Sequence, residues 1–271
     1  MEAYVYIGIM TLFIGVTLFD LYVSKLNSDA RENPVPSVVK DIYEKDDYDR
    51  WKRYSRKKAD LSLFGRFFSF LFVLMMLMFG GFQALNLWTA DISDSLYVST
   101  LLFFGLLFLL QTVFSTVLSY IDTYKIEEPF GFNNTTKKTF VKDTLIGFVL
   151  TGVLMGGVLM LVLYLLRFHE ALFLLLAFVI LFTFILIMNM FYVKLIVPLF
   201  NTLTPLKDGD LKEKIEALAH KEGYEVSSIK VVNASKRSTK LNAFFSGFGR
   251  FKTVVLYDTL LDAMSDEEIE E

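Results

Sequence analysis

The side chains most often used for metal or proton chemistry are scarce in this sequence. It contains two histidines, His169 and His220, and no cysteine. His169 and Glu170 begin like the zinc-binding motif HExxH, whose two histidines face one side of a helix, but the fifth position is Phe173. His220 lies near the end of a predicted amphipathic helix, where a solvated histidine is ordinary. The sequence therefore predicts no catalytic residue and no metal ligand of its own.

Other kinds of chemistry are equally poorly supported. The lack of cysteine excludes disulfides and thiolate catalysis, and a net charge of −3 gives no indication of nucleic-acid binding. The one glycine-rich stretch, "GFG" at 247–249, is better explained by a hairpin turn than by a phosphate loop.

The segments that would position a functional site are mostly long apolar runs. Charge-free runs cover 67–90, 95–121, 144–166 and 171–193, and a shorter run covers 3–19. A membrane span needs about 20 apolar residues, so we expect a multi-span α-helical membrane protein with five spans. The strongly polar residues in these spans are few, and only the first of them is ionisable: Asp20, Gln83, Asn86, Gln111 and Asn189. An ion-coupled transporter or a channel, the weakest alternative, would usually carry more ionisable groups.

Basic residues alternate between the two sides of the predicted spans. They concentrate in the loops 24–62 and 122–143, whereas the other two links hold only Arg167. Because cytoplasmic loops are enriched in Lys and Arg, the N-terminus is predicted outside and everything after Lys194 in the cytoplasm. The predicted location is the bacterial cytoplasmic membrane, or the endoplasmic reticulum in a eukaryote. We divide the chain into a membrane bundle, 1–200, and a small cytoplasmic α/β segment, 201–271.

The cytoplasmic segment reads as a helix, a strand, a hairpin and the start of a second helix. Asp210 with Glu213 predicts a capping box for the first helix, over "DGDLKEKIEALAHKEGY". "SIKVVNAS", "KLNAFFSGFG" and "FKTVVLYDTLL" predict three strands. Ser265 with Glu268 forms a second capping box, so "SDEEIEE" announces a helix and supplies about one turn of it.

Three of these stretches resemble one known family. Residues 235–271, "SKRSTKLNAFFSGFGRFKTVVLYDTLLDAMSDEEIEE", resemble the segment before the zinc motif of the integral-membrane type I CAAX prenyl proteases. Residues 201–224 resemble the family's segment after the fifth span. Residues 124–140, "YKIEEPFGFNNTTKKTF", match its cytoplasmic loop pattern IEE-x-x-GFN-x-T-T, except that Pro129 stands where a basic residue is expected.

The resemblance implies a zinc endopeptidase that cleaves prenylated CAAX or other membrane-associated peptides in the lipid bilayer. In such a family the helix that begins like "SDEEIEE" runs into HExxH, so zinc belongs to the intact family member and its ligands to a missing C-terminal half. The resemblance further implies that Asn242, Ala243 and Phe244 lie in an edge strand that binds the peptide substrate by strand addition. The alternative is an ordinary hairpin strand whose aromatic side chains pack in the core. On the sequence as it stands, the runner-up function is a catalytically inactive membrane peptide-binding or scaffold protein.

Overall fold

Five helices among the described residues are long and apolar enough to cross a membrane, as predicted. They cover Tyr4–Arg31, Lys45–Met78, Leu96–Phe130, Lys137–Arg167 and Phe173–Phe200. The computed structural model describes residues 2–35, 39, 44–168 and 172–270. The chain is thus a multi-pass membrane protein with a small α/β segment, whereas its orientation stays a prediction from the basic residues.

The order of helices and strands follows the chain closely. The helices are α1 (Glu2–Arg31), α2 (Lys45–Met78), α3 (Gly81–Ile92), α4 (Leu96–Ile121), α5 (Lys137–Phe168), α6 (Phe173–Phe191), α7 (Val197–Phe200), α8 (Asp210–Lys221), α9 (Asp258–Ala263) and α10 (Asp266–Glu270). The strands are β1 (Leu203–Pro205), β2 (Ser228–Val232), β3 (Ala243–Ser246) and β4 (Thr253–Tyr257). A π-helical turn, Tyr192–Ile196, joins α6 to α7.

The apolar run 67–90 is not one uninterrupted helix. α2 ends at Met78 and α3 begins at Gly81. Gly80 has a φ of +66°, which favours glycine. A Cβ on Gly81 would lie 2.5 Å from Sδ of Met76. The Gly80–Gly81 pair therefore permits a break that an apolar run does not reveal.

Contacts divide the chain into two compact units, which we describe separately. The first comprises Met1–Trp88 and Val117–Ile126. In it the rings of Phe13 and Phe70 stack with centroids 5.2 Å apart, and Lys58 pairs with Asp122 at 2.7 Å. Gly65 is buried, and an added Cβ there would lie 2.9 Å from Leu118.

The second unit, Thr89–Thr116 and Glu127–Glu271, contains a four-stranded sheet. The strand order is β1-β2-β4-β3, with β2 and β4 parallel and the outer pairs antiparallel. The core joins Val232 and Val255 of the sheet to Val193 and Val197, which follow α6. The apolar sequence of β4, "TVVLY", suits a central strand covered on both faces. The boundary that we predicted at residue 200 stays a prediction, although the sheet's core begins before it.

The two predicted capping boxes have different outcomes. The box at Asp210 is wrong, because α8 begins at Asp210 and its N-cap is Gly209, without a side-chain hydrogen bond. Instead, Asp208 pairs with Lys212 at 2.7 Å, and a carboxylate at that position also suits the positive end of the helix. The box at Ser265 is confirmed: its N–H donates to Glu268 Oε2 at 2.8 Å, and the Glu268 N–H donates to Ser265 Oγ at 3.4 Å.

Candidate functional site

β3, which contains two of the three predicted substrate-binding residues, lies at one edge of the sheet. Ala243 opens the strand, Phe244 follows it, and Asn242 lies just before it. Among the described residues, β3 pairs with β4 along one side only, Ala243 opposite Leu256 and Ser246 opposite Thr253. The hairpin predicted from "KLNAFFSGFG" and "FKTVVLYDTLL" is therefore present, and its outer strand has one free edge.

The register determines which backbone groups face this free edge. The Tyr257 N–H donates to the Asn242 carbonyl at 3.1 Å. Hydrogen-bonded and non-hydrogen-bonded pairs alternate along an antiparallel ladder. Asn242, Phe244 and Ser246 therefore direct their backbone groups to β4, whereas Ala243 and Phe245 direct theirs outward. The outward N–H of Ala243 donates to the Asn242 side chain at 2.9 Å.

The side chains of β3 alternate between the two faces of the sheet. The ring of Phe244 packs against the core, with centroids 6.4 Å from Tyr192 and 6.3 Å from Tyr257. Phe245 is 49% exposed and touches Tyr224 edge-on. Phe245, rather than Phe244, thus offers both a backbone edge and an open side chain. Phe245 is not among the predicted substrate-binding residues, although the two-residue period of a strand places the two phenylalanines on opposite faces.

The loop that carries the GFN-x-T-T pattern holds the segment leading into β3. The Thr239 N–H and hydroxyl donate to the carbonyls of Phe132 and Gly131, at 3.3 and 2.8 Å. The Asn134 N–H donates to the Arg237 carbonyl at 2.9 Å, and Lys240 pairs with Glu127 at 2.9 Å. We call this contact of 127–135 with 235–240 the clasp. Two motifs that are about 100 residues apart in the sequence meet here.

Arg237 fixes the clasp to the neighbouring helices. Its guanidinium donates to both carboxylate oxygens of Asp143, at 2.8 and 3.1 Å. It also donates to Asn201 Oδ1 at 2.6 Å and to the Phe200 carbonyl at 2.5 Å. Arg237 and Asp143 are about one-fifth exposed, so solvent screens the ion pair only partly.

Hydrogen bonds also join residues 235–240 to the start of α9. Asp258 accepts hydrogen bonds from the Ser235 N–H, at 2.8 Å, and from the Ser235 hydroxyl. The Thr259 hydroxyl donates to the Lys240 carbonyl at 2.9 Å. Residues 235–242 are therefore held from both sides before the chain reaches the free edge.

The residues of this chain do not fit a zinc centre. The sequence has no HExxH, and His169 and Glu170 lie outside the described residues. In the part of the chain that the structure describes, no three His, Asp or Glu side chains gather closely enough to hold a metal ion. Glu267 and Glu268, in the helix that the resemblance relates to the zinc motif, take part in other contacts. Hydrogen bonds from Ser265 hold the pKa of Glu268 below its ordinary value, and the hydrogen bond from Lys214 does the same for the pKa of Glu267.

Comparison with known proteins covers both parts of the chain. A family model described as "CAAX prenyl protease N-terminal, five membrane helices" matches residues 26–202, and one for "Peptidase family M48" matches residues 205–271. "CAAX prenyl protease 1" of Saccharomyces cerevisiae is 33% identical over 251 residues, 88% of this chain and 55% of the relative. "CAAX prenyl protease 1 homolog" of Homo sapiens is 32% identical over 243 residues, 85% of this chain and 50% of the relative.

A solved structure agrees with these relatives in fold. The crystal structure of S. mikatae Ste24p superposes with a TM-score of 0.87 at 31% identity, covering 97% of this chain and 64% of that one. The chain thus spans about half the length of the curated relatives that it matches. Because the five-helix model alone covers more than half of its residues, the chain belongs to the CAAX prenyl protease family of M48 peptidases.

Proposed function

We propose that this chain forms the peptide-binding side of a membrane endopeptidase that cleaves prenylated CAAX or other membrane-associated peptides. The observation that carries the proposal is the free edge of β3, where the backbone groups of Ala243 and Phe245 face outward. An extended peptide can join such an edge as a further strand, with main-chain hydrogen bonds giving affinity and alternate side chains giving specificity. The names of the relatives supply the substrate class.

Ala243 and Phe245 together offer two N–H donors and two carbonyl acceptors to a peptide. Each hydrogen bond would contribute about 1 kcal/mol net. The Ala243 donor now bonds the Asn242 side chain, and that amide oxygen is an exchangeable partner that keeps the donor satisfied until a peptide arrives. Phe245 would pack beside one substrate side chain, whereas Phe244 would support the strand from the core side.

The clasp supports the proposal by fixing the entrance to β3. A strand edge that is ordered before binding does not lose conformational entropy when the peptide arrives, and this raises affinity. Lys240 and Arg237 lie in the segment that leads into the edge, and their ion pairs with Glu127 and Asp143 hold it. The role of the GFN-x-T-T loop would then be to position the peptide-binding strand rather than to contact the peptide.

Zinc-dependent cleavage would need the HExxH that the sequence lacks, and the described residues form no other ligand set. The ligands of the intact enzyme would come from outside this chain, in keeping with the half of the relatives' length that the chain spans. We therefore assign no catalytic step to this chain. The lack of HExxH equally favours the second candidate function, a catalytically inactive peptide-binding or scaffold protein.

The proposal is tested by measuring how the chain, reconstituted in lipid nanodiscs, binds a fluorescent prenylated peptide that ends in a CAAX sequence. Ala243→Pro removes the outward N–H and should weaken binding roughly tenfold, since one lost hydrogen bond and ring crowding cost about 1.4 kcal/mol or more. Ala243→Ser keeps the N–H and should bind like the parent chain. An unchanged Kd for the proline variant would contradict strand addition. The recovered peptide should keep its intact mass, because we assign no catalytic step to this chain.

A further inference from the structure

The turn between β3 and β4 presents two exposed aromatic side chains. Phe248 is 74% exposed and Phe251 is 41% exposed. Gly247 and Gly249, on either side of Phe248, have φ angles of +103° and +55°, which allow a tight turn. The sequence has no charged residue from Leu241 to Gly249. We call residues 247–251 the aromatic tip.

Contacts of the hairpin place the tip beside α6. The Ser246 hydroxyl donates to the Asn189 carbonyl at 3.1 Å, and the ring of Phe251 lies 6.0 Å from that of Phe191. Asn189 is eleven residues before Phe200, the last residue of the helical stretch Phe173–Phe200, which is roughly 16 Å along a helix. The hairpin therefore lies beside the C-terminal part of this helical stretch rather than beyond its end.

The sequence of α6 shows where the surface of the bilayer lies relative to these contacts. Residues 171–193 carry no charge, and Lys194 is the first ionisable side chain after them. Lys194 is exposed, and Tyr192 beside it is 43% exposed. A tyrosine and a lysine at the end of an apolar run are typical of the membrane–water interface. Asn189 and Phe191, the partners of the hairpin, lie on the apolar side of both.

Apolar side chains of the span near the tip are exposed as well. Leu186 and Ile187, one turn before the contact at Phe191, are 43% and 47% exposed, as lipid-facing residues are. Exposed apolar side chains at this level meet acyl chains rather than water. In the sequence of residues 247–251, Arg250 is the one charged residue.

From this placement we propose that the aromatic tip inserts into the lipid bilayer, at the boundary between headgroups and acyl chains. It would anchor the β3–β4 hairpin, and with it the free edge of β3, at the level of the membrane surface. Amphipathic helices at the interface bury their apolar faces about 5–10 Å into the boundary between headgroups and acyl chains, a depth that the tip would share. The anchor concerns a face of the hairpin that the peptide-binding proposal does not use, so either proposal can fail without the other.

Spin labelling tests the insertion directly, because the chain contains no cysteine that would compete for the label. Phe248→Cys is spin-labelled in chain reconstituted into phosphatidylcholine nanodiscs, and its collisions with oxygen and with a water-soluble nickel chelate are measured. Leu181→Cys, on the exposed face of α6, is the lipid control, and Glu222→Cys, after α8, is the water control. We expect the label at 248 to collide with oxygen several-fold more than with nickel, like the label at 181.

Two outcomes would overturn the proposal. A label at 248 that favours nickel, like the label at 222, would mean that the tip is in water. A label shielded from both reagents would mean that protein, not lipid, covers the tip. Phe251→Cys repeats the measurement at the second ring, so a local disturbance at one position cannot decide the outcome.

Discussion

Arg237 needs the shape of a guanidinium as well as its charge. Four hydrogen bonds leave it in three directions, two of them to the carboxylate of Asp143. A lysine ammonium is a point charge and cannot bond a carboxylate, an amide and a carbonyl in one plane. The residue therefore connects the start of α5 and the end of α7 to the segment before β3.

Arg237→Lys is expected to destabilise the chain by about 2 kcal/mol, because it gives up at least two hydrogen bonds and leaves Asp143 incompletely paired. The measurement is the thermal unfolding midpoint in detergent, which should fall by roughly 5 °C. Lys212→Gln is the matched control: its pair with Asp208 is on the surface, so its midpoint should equal that of the parent chain. Equal midpoints for both variants would mean that the Arg237 network contributes nothing.

The resemblance indicated the stretch that forms the outer strand of the sheet, but it did not separate the residues that face the free edge from those that face the core. Asn242, Ala243 and Phe244 came from the resemblance, and their substrate role stays a prediction. The register of β3 on β4 shows that Phe244 faces the core, whereas Phe245 shares the free edge with Ala243. Register depends on which strand pairs with which, so it could not be determined from "NAFFS" alone.

At the scale of helices and strands, the sequence predicted correctly a feature that depends only on neighbouring residues. The Ser265–Glu268 box needs only residues three apart, and it forms. The similar pattern at Asp210 failed because Gly209 takes the N-cap position and Asp208 supplies the charge. The short strand β1 and the clasp depend on tertiary contacts, and no pattern in the sequence had indicated them. The break at Gly80 is local, and the Gly80–Gly81 pair was the signal that the apolar run hid.

The cap of α10 predicts a pH dependence. Because hydrogen bonds from Ser265 lower the pKa of Glu268 in the folded state, its stabilising contribution is full above the ordinary glutamate value, about 4.3. It is lost as the pH falls through the lowered value. Amide exchange of 266–270, relative to intrinsic rates, should show protection at about pH 7 and little at about pH 3.

Glu268→Gln provides the control for the capping box. Glutamine can accept the same hydrogen bonds but does not titrate. Its protection should therefore depend much less on pH, and the remaining dependence should come from Glu267 and its pair with Lys214. Equal pH dependence in the variant and the parent chain would contradict a role for the Glu268 carboxylate.

For the whole molecule, composition alone predicted five spans, because charge-free runs of this length have few other uses in a protein. The orientation rests on the distribution of Lys and Arg, which a structure without a bilayer leaves as a prediction. It matters for the proposed function, because it determines on which side of the membrane β3 would meet a peptide.

The orientation predicts opposite labelling of two single-cysteine variants by a membrane-impermeant maleimide. Asp94→Cys, in the link before α4, should react in intact cells, since this side is predicted to face outward. Glu222→Cys should react only after the membrane is permeabilised. Both positions are exposed, so accessibility within the protein does not limit either reaction. Labelling of residue 222 in intact cells would reverse the orientation.

The central claim, that β3 binds a peptide through its free edge, is tested most directly by methylating the peptide's own backbone. Only two residues of β3 face outward, so carbonyl acceptors are available to peptide N–H groups that are two residues apart. Prenylated CAAX peptides carrying one N-methyl group at successive positions should lose affinity roughly tenfold at two alternating positions and little at the position between them. A loss that is equal at every position, or absent at all of them, would contradict strand addition at β3.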